Sequence, residues 1–455
     1  MTGENDFEDL FREEVLDPCP DGSGVTIADF RAYMPGHSYI FMPCCEIWPA
    51  ASVNARLGPQ PVLTAASTPK RKNGKGVTIS ASSWLDQNRP VEQMTWCPGL
   101  PKLVPDRLVV DGGWIERAGV TVFNLYRPPR IVPGDASKAG PWLDHVRKIY
   151  SDDADHIITW LAHRVQRPHE KINHALVLGG AQGIGKDTLL EPLKHAVGPW
   201  NFKDVGPAHL MGRFNGFAKA IILRVSEARD LGDATERANR FGFYEHCKQY
   251  IVTPPDVMRI DEKHLREYYI FNVIGMVITT NHKTDGIYLP EDDRRHYVAW
   301  SNLTKEDFTP AHFKTLYPWY YSGGFEHVAA YLHELDISEF DPKAPPPKTA
   351  AFWSIVSVNT APEDAELADV LDALTNPAAV TLKQLIAAAT GETAEWLLDR
   401  KNRRAVPHRL ERCGYVAVRG PSDGQWKING KRQTIYAKQA LSPQAREEAA
   451  KKLAT

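Results

Sequence analysis

Gly179-Gly180-Ala181-Gln182-Gly183-Ile184-Gly185-Lys186-Asp187-Thr188 follows the apolar run Ala175-Leu176-Val177-Leu178 and precedes the helically spaced Leu189, Leu190 and Leu193. A buried strand, a glycine-rich turn and a helix in that order are what a phosphate-binding loop needs. Glycines at 180, 183 and 185, with Ile184 between the last two, let the backbone turn its N–H groups inward around a phosphate chain. Lys186 brings a cation to the terminal phosphates, and the following helix offers the positive end of its dipole. The bland alternative is a tight strand-to-helix turn. The residue after the lysine is Asp187, where Ser or Thr ordinarily binds Mg²⁺. Either Asp187 takes the metal as a hard oxygen ligand or Thr188 substitutes, and the sequence leaves both open.

The chain around this loop has 455 residues, too many for one core and enough for about three domains. Its 54 Lys and Arg against 56 Asp and Glu give a net charge of −2, so any nucleic-acid site must come from local concentration of charge. The cysteines at 19, 44, 45, 97, 247 and 413 contain no CxxC pair, which disfavours a zinc site or a secreted disulfide framework. The acidic, polar N-terminus is unlike a signal peptide, and no apolar run is long enough to span a membrane. A cytoplasmic protein is expected.

Residues 1–28 read as an acidic segment. A small mixed α+β domain is expected over 29–135, rich in Pro, Gly, Trp and short β-type runs, with a basic turn at Lys70–Lys75. Helical spacing over 136–172 (Trp142, Val146, Ile149, then Ile157, Ile158, Trp160, Leu161, Val165) predicts two helices broken near Ser151-Asp152-Asp153. They serve either as plain packing elements or as an oligomerisation collar. Apolar strands alternate with helices over 173–340, the pattern of a parallel α/β sheet. A Pro-rich linker and short helix follow over 341–375, then a last domain over 376–442 and an exposed tail over 443–455.

Hydrolysis needs a carboxylate to orient water, a polar sensor and a cation for transition-state charge. The strand Ala220-Ile221-Ile222-Leu223-Arg224-Val225 runs into Ser226-Glu227, which puts Glu227 where a catalytic base belongs; Ser226 stands where an Asp would help hold Mg²⁺. A second strand, Val273–Thr280, ends in Asn281, an amide suited to hold the attacking water or touch the γ-phosphate. Arg294 and Arg295, after Glu291-Asp292-Asp293, are candidates for an arginine finger or members of a surface salt-bridge cluster.

This ordered set resembles superfamily 3 helicases, AAA+-type hexameric motors, and among them the helicase domain of phage and prophage primase-helicases. The matching strings are GGAQGIGKDT, VSEARD, Pro254-Pro255 through Asp261-Glu262-Lys263-His264, Phe271-Asn272-Val273, Thr280-Asn281-His282-Lys283 and Asp292-Asp293-Arg294-Arg295. The resemblance covers about residues 140–335. It implies ATP and Mg²⁺ as cofactors, a homo-oligomeric ring, and a hairpin whose Lys263-His264 pair tracks single-stranded DNA. Lys248, Arg259 and Arg266 flank that pair. A separate primase or polymerase is a further possible partner, since residues 29–135 lack a recognisable pair of metal-binding carboxylates.

In the last domain, a helix over 381–391, a second stretch at Glu395–Leu398, a basic third segment and β runs at Tyr415–Val418 and Gln433–Ala437 look like a winged helix. Such a domain reads duplex DNA with its third helix in the major groove and a basic wing on the backbone. Arg403, Arg404, His408, Arg409 and Arg412 would be helix contacts, and Lys427, Lys431 and Arg432 the wing. A winged helix used only for protein contacts is the alternative. The fold class expected is thus α/β: an AAA+-like P-loop ATPase core with a small N-terminal mixed α+β domain, a helical collar and a C-terminal winged helix. The function expected is an ATP-dependent DNA helicase; the alternatives are a DNA-binding ATPase switch without unwinding, or a nucleotide-gated DNA-binding regulator that does not hydrolyse.

Overall fold

The computed structural model describes residues 24–61, 77–226, 236–282, 287–359, 362–399, 403, 406–420, 424–428 and 430–454. Glu227, Arg404, Lys283 and the Lys70–Lys75 turn lie outside the described residues. The chain divides into two compact units, one running to Phe352 and one from Trp353 onward that also takes Leu289–Glu291.

The centre of the first unit is a five-stranded parallel sheet: β1 (Ala175–Gly180), β2 (Phe202–Val205), β3 (Ile222–Val225), β4 (Gly275–Thr280) and β5 (His296–Ser301), in the order β2-β3-β4-β1-β5. β1 and β4 are buried along their whole length, which explains their unbroken apolar runs: a central parallel strand is covered on both faces. A fully buried arginine and a half-buried lysine pin the start of β4. Arg164 donates from Nη1 to the Val273 carbonyl at 2.8 Å, and Lys171 donates to Asn272 Oδ1 at 2.9 Å and the Ile274 carbonyl at 2.8 Å. Burial lowers the pKa of both, Arg164 to about 9. Asn272 in turn donates to the carbonyls of Gln249 and Pro255, so the Phe271-Asn272-Val273 string anchors the strand that ends in Asn281.

Ahead of the sheet lie helices Gly140–Ile149 and Ala154–Gln166, with Trp142, Val146, Ile149, Ile157, Trp160 and Leu161 at or below 3% exposure. The helical spacing read from the sequence is the buried stripe. Trp142 donates its indole N–H to the Leu189 carbonyl at 3.0 Å, so the first helix packs on the phosphate-loop helix, Lys186–Ala196.

The N-terminal part of this unit holds a four-stranded sheet centred on Phe30–Tyr33 and Ser38–Phe41, with helices Ala50–Arg56 and Ala81–Asn88. Its core is Phe30, Ala32, Tyr39, Val53, Leu57, Ala81 and Leu85. A long hairpin, Leu103–Val110 with Gly113–Asn124, extends from it, and Gln93–Thr95 pairs with the second strand. This sheet grips a second hairpin, Val257–Ile260 with Tyr268–Phe271: Thr95 Oγ1 donates to the Tyr269 carbonyl at 2.9 Å and Trp114 stacks on Phe271 at 5.3 Å.

The Pro-rich stretch expected to be a linker is tied to the first unit. The Pro342 carbonyl accepts from the Asn173 N–H at 2.8 Å, Thr349 Oγ1 donates to the Val298 carbonyl at 2.6 Å, and Phe352 is fully buried. Satisfying backbone and hydroxyl groups on the sheet keeps this segment down despite its proline content.

The second unit contains helices Leu382–Ala388, Gly391–Leu398 and Val406–Arg412, the three-stranded sheet Ala379–Thr381, Ile435–Lys438 and Tyr415–Val418, and a hairpin of Trp426–Ile428 with Lys431–Gln433. Thr381 and Gln384 form a reciprocal capping box that starts the first helix. That helix stops at Ala388, and Gly391 opens the next one with a left-handed φ of 58° rather than closing the first. Pro407 is the second residue of its helix, where its missing N–H costs nothing. The terminal stretch forms a helix, Pro443–Ala454, whose Ala450 is buried with Trp426, Ile435 and Ala437, so these residues belong to the unit's core.

Candidate nucleotide site and nucleic-acid hairpin

The phosphate loop leaves β1 at Gly180 (φ 144°) and turns through left-handed conformations at Gly183 (φ 84°) and Gly185 (φ 93°). At Gly185 a Cβ would lie 2.5 Å from the ring of His145, and at Gly179 one would lie 2.0 Å from Trp300, so both positions accept only glycine. Ile184 is fully buried and anchors the loop. Lys186, Asp187 and Thr188 open the helix, and their N–H groups have no intrahelical acceptor.

Lys186 is 8% exposed and donates to the Gly180 carbonyl at 2.7 Å, the Ala181 carbonyl at 2.8 Å and Asn281 Oδ1 at 2.7 Å. Burial lowers its pKa to about 8, against the raising effect of Asp187. The sheet therefore brings together Lys186 and Asn281, which lie far apart in the chain. The neutral acceptors fold the ammonium back over its own loop.

The two metal candidates differ in setting. The Asp187 side chain is 77% exposed at the loop's rim and accepts from Arg224 Nη1 at 2.6 Å; Arg224 also pairs with Asp204. Thr188 is 5% exposed, and its hydroxyl meets the Tyr317 hydroxyl at 2.9 Å. Among the described residues no cluster of three or more His, Cys, Asp or Glu side chains is arranged to hold a metal by protein ligands alone. A donor set of one carboxylate and one hydroxyl fits an ion that takes its other ligands from phosphate and water, as Mg²⁺ does.

Sequence reasoning missed the supports of this loop. His145 contacts the Gly185 carbonyl through Nε2 at 3.0 Å and His312 Nε2 through Nδ1 at 2.9 Å. Burial lowers the His145 pKa to about 4, so the ring is neutral near pH 7: Nε2–H donates to the loop and Nδ1 accepts from His312. Tyr150 donates to the Gly179 carbonyl at 3.1 Å, and Tyr320 to the Thr188 carbonyl at 3.0 Å. Arg224, the one cation inside an apolar strand motif, was the available signal for the Asp187 partner.

Arg294 and Arg295 precede β5, whose first residue, His296, pairs with Ala175 at the start of β1. Five residue steps at ~3.3 Å put them about 17 Å from the carboxyl end of β1, before the phosphate loop even begins. That is further than an arginine side chain extends, so neither reaches the phosphate loop of its own chain. The turn is held by Asp293, 2% exposed, which accepts from the N–H groups of Arg295 and His296 and from the Tyr244 hydroxyl. Burial alone would raise its carboxyl; His296 and these hydrogen bonds together hold it well below the usual carboxylate range. Arg294 is exposed and makes no hydrogen bond or ion pair among the described residues, whereas Arg295 is half-buried.

Lys263 and His264 sit exposed at the tip of the Val257–Phe271 hairpin, with Arg266 beside them. The neighbouring acids are already engaged: Asp261 pairs with Arg213 at 3.0 Å, and Glu262 accepts from Lys219 at 2.8 Å and from the Tyr268 hydroxyl at 2.6 Å. His264 has φ 67°, a left-handed conformation that costs a non-glycine residue about 1 kcal/mol or more. In the second unit, Arg403, His408 and Arg412 are exposed, while Arg409 lies over the Trp396 indole at 4.0 Å. Lys427 faces Arg432 across the small hairpin, and Lys431 stands opposite Ile428.

One prediction follows from Lys186. A triphosphate that replaces its neutral acceptors raises its pKa, so binding takes up protons where the free lysine is partly deprotonated. ATP affinity is then expected to fall as pH rises through about 8. Titration calorimetry at pH 8 in buffers of different ionisation enthalpy is expected to show uptake of about half a proton per ATP, by linkage of the shifted pKa. No uptake contradicts the assigned contact.

A family model described as "Family of unknown function (DUF5906)" matches residues 178–295. No curated protein matches the chain. The apo structure of the NrS-1 C terminal region (305–718) superposes at a TM-score of 0.56 with 16% identity, covering 88% of this chain and 93% of that one. A second apo form of that region gives 0.51, with 16% identity over 81% and 93%. JCV helicase reaches 0.29 with 12% identity over 57% and 67%, a level that establishes no shared fold. No helix of the described residues is long and apolar enough to cross a membrane. The chain has the mixed α/β fold of the NrS-1 C terminal region, built on a parallel sheet.

Proposed function

We propose that this chain is an ATP-driven motor that translocates on single-stranded DNA and separates duplexes as a ring, in replication of the superfamily 3 kind. The observation that carries this reading is the joint placement of Lys186 and Asn281 at one loop with Lys263 and His264 on a braced hairpin of the same unit. Gly180, Gly183, Ile184 and Gly185 shape the loop around the phosphates. Lys186 exchanges neutral carbonyls for phosphate oxygens, a stronger, charge-assisted contact. That exchange frees Asn281 to position the attacking water. Glu227, next along from β3, is the proposed base. Mg²⁺ would be held by Asp187, with Thr188 as the second candidate, and would neutralise charge on the phosphates.

Arg294 serves a neighbouring subunit's nucleotide, since it cannot reach its own; this is the argument for a closed ring, hexameric in this reading, with helices 140–166 as its collar. Lys263 neutralises a backbone phosphate and His264 stacks or hydrogen-bonds. The second unit is read as a winged helix on duplex DNA, with Arg412 on the helix Val406–Arg412, Arg403 ahead of that helix rather than on it, and Lys427, Lys431 and Arg432 on the wing. Lys427 and Arg432 stand opposite each other on that hairpin, so the wing presents two cations at one register position.

A forked-duplex assay tests the reading. Wild-type chain with ATP and Mg²⁺ is expected to displace the strand, and Lys263→Ala to lose at least about tenfold of that rate. The same variant's single-strand affinity is expected to show a salt slope lower by about 0.7, one phosphate contact. Displacement by Lys263→Ala at the wild-type rate contradicts the hairpin's role.

A further inference from the structure

The N-terminal sheet and the ATPase core enclose a cleft of about 690 Å³ beside the tip of the hairpin that carries Lys263. Its volume lies in the range of small-ligand sites, about 300–1,000 Å³. Duplex DNA is far too wide for it. The walls include Trp96, Trp200, Phe214 and Tyr268, and the cations Arg127, Lys203, Lys219 and Lys263 face a single carboxylate, Glu262. That carboxylate is committed to Lys219 and Tyr268. Lys203, on β2, makes no hydrogen bond or salt bridge to a described residue, and burial with the charge of Lys219 beside it lowers its pKa. Phe214 leaves 44% of its surface exposed, unusual for a ring of that size. Arg213 lies over that ring at 5.6 Å from its centroid, and a half-exposed aromatic ring beside a surplus of cations suits one chemistry: a phosphate joined to a flat base.

We infer that this cleft is a nucleotide subsite for single-stranded DNA, in which one base lies against Phe214 and its phosphate against Lys203. Lys263 both lines the cleft and stands at the exposed hairpin tip, so a strand engaged by the hairpin passes the cleft mouth. The subsite would give the N-terminal sheet, which already grips the hairpin through Thr95 and Trp114, a direct part in holding the strand. This inference rests on the proposed reading of the chain as a DNA motor.

The test measures binding of the full chain to a fluorescein-labelled oligothymidylate over a salt series. Phe214→Ala is expected to weaken binding at least fivefold with an unchanged salt slope, because stacking carries no charge. Lys203→Gln is expected to weaken it several-fold and lower the slope by about 0.7, and Lys203→Arg to restore both. A structural defect alone would not move the slope and then be rescued by arginine. Wild-type affinity and slope in both Phe214→Ala and Lys203→Gln, while Lys263→Ala weakens binding, overturns the subsite and leaves the motor reading standing. No oligonucleotide binding by the wild-type chain overturns both. Competition by dTMP at the oligonucleotide's own concentration assigns the cleft to a free nucleotide and overturns the strand.

Discussion

Lys186→Ala is expected to reduce ATP hydrolysis at least about a hundredfold, the scale of losing one oriented charge at a developing anion. The ammonium is buried, has three neutral acceptors at 2.7–2.8 Å, and is held by the rim of its own loop. Phosphate oxygens are the stronger partners for it. Phosphate release by the purified variant checks this. Turnover within threefold of wild type would show that nucleotide is hydrolysed elsewhere.

Arg294→Ala is expected to abolish turnover by about 10³-fold while leaving ATP binding intact, as loss of an arginine finger does. The register His296↔Ala175 puts this residue at the far end of β1 from the phosphate loop, so in the proposed ring its target would be the nucleotide of another copy of the chain. Two inactive variants then complement each other. In a mixed ring, a subunit carrying Arg294→Ala has an intact loop, and a neighbour carrying Lys186→Ala supplies the missing arginine. Mixing the two is expected to restore measurable hydrolysis. A mixture as inactive as its components would place the arginine outside catalysis or the sites in separate molecules.

Much of this arrangement was legible in the sequence because it is local. Glycines at 180, 183 and 185 imply a turn whatever surrounds them, and the Trp142–Val146–Ile149 spacing marks a buried helix stripe. The position of Asn281 at a strand end was legible, and Lys186 donates to it. What stayed hidden depends on non-local pairing. Nothing near His145 in the chain announces that its ring holds the Gly185 carbonyl, because the partner His312 is 167 residues away. The N-terminal region offered no chemistry of its own; its visible contribution, the grip of Thr95 and Trp114 on the hairpin, appears only when strands more than a hundred residues apart pair in space. The segment after Asp341 read as a linker because proline composition speaks to stiffness and not to docking. The hydroxyl of Thr349 and the carbonyl of Pro342 decide that question.

For the arginine pair, register narrows what composition leaves open. Two arginines after three acids are as consistent with a solvated salt-bridge cluster as with a finger. In the structure Asp293 gives its oxygens to backbone N–H groups and to Tyr244, which leaves Arg294 exposed.

The most direct test of the central claim is ATP hydrolysis by the full chain with and without single-stranded DNA, in the presence of Mg²⁺. The account predicts turnover that DNA stimulates several-fold, because Lys263, His264 and the nucleotide loop belong to one unit. Turnover indifferent to DNA, or none under any DNA condition, would contradict a DNA-translocating motor.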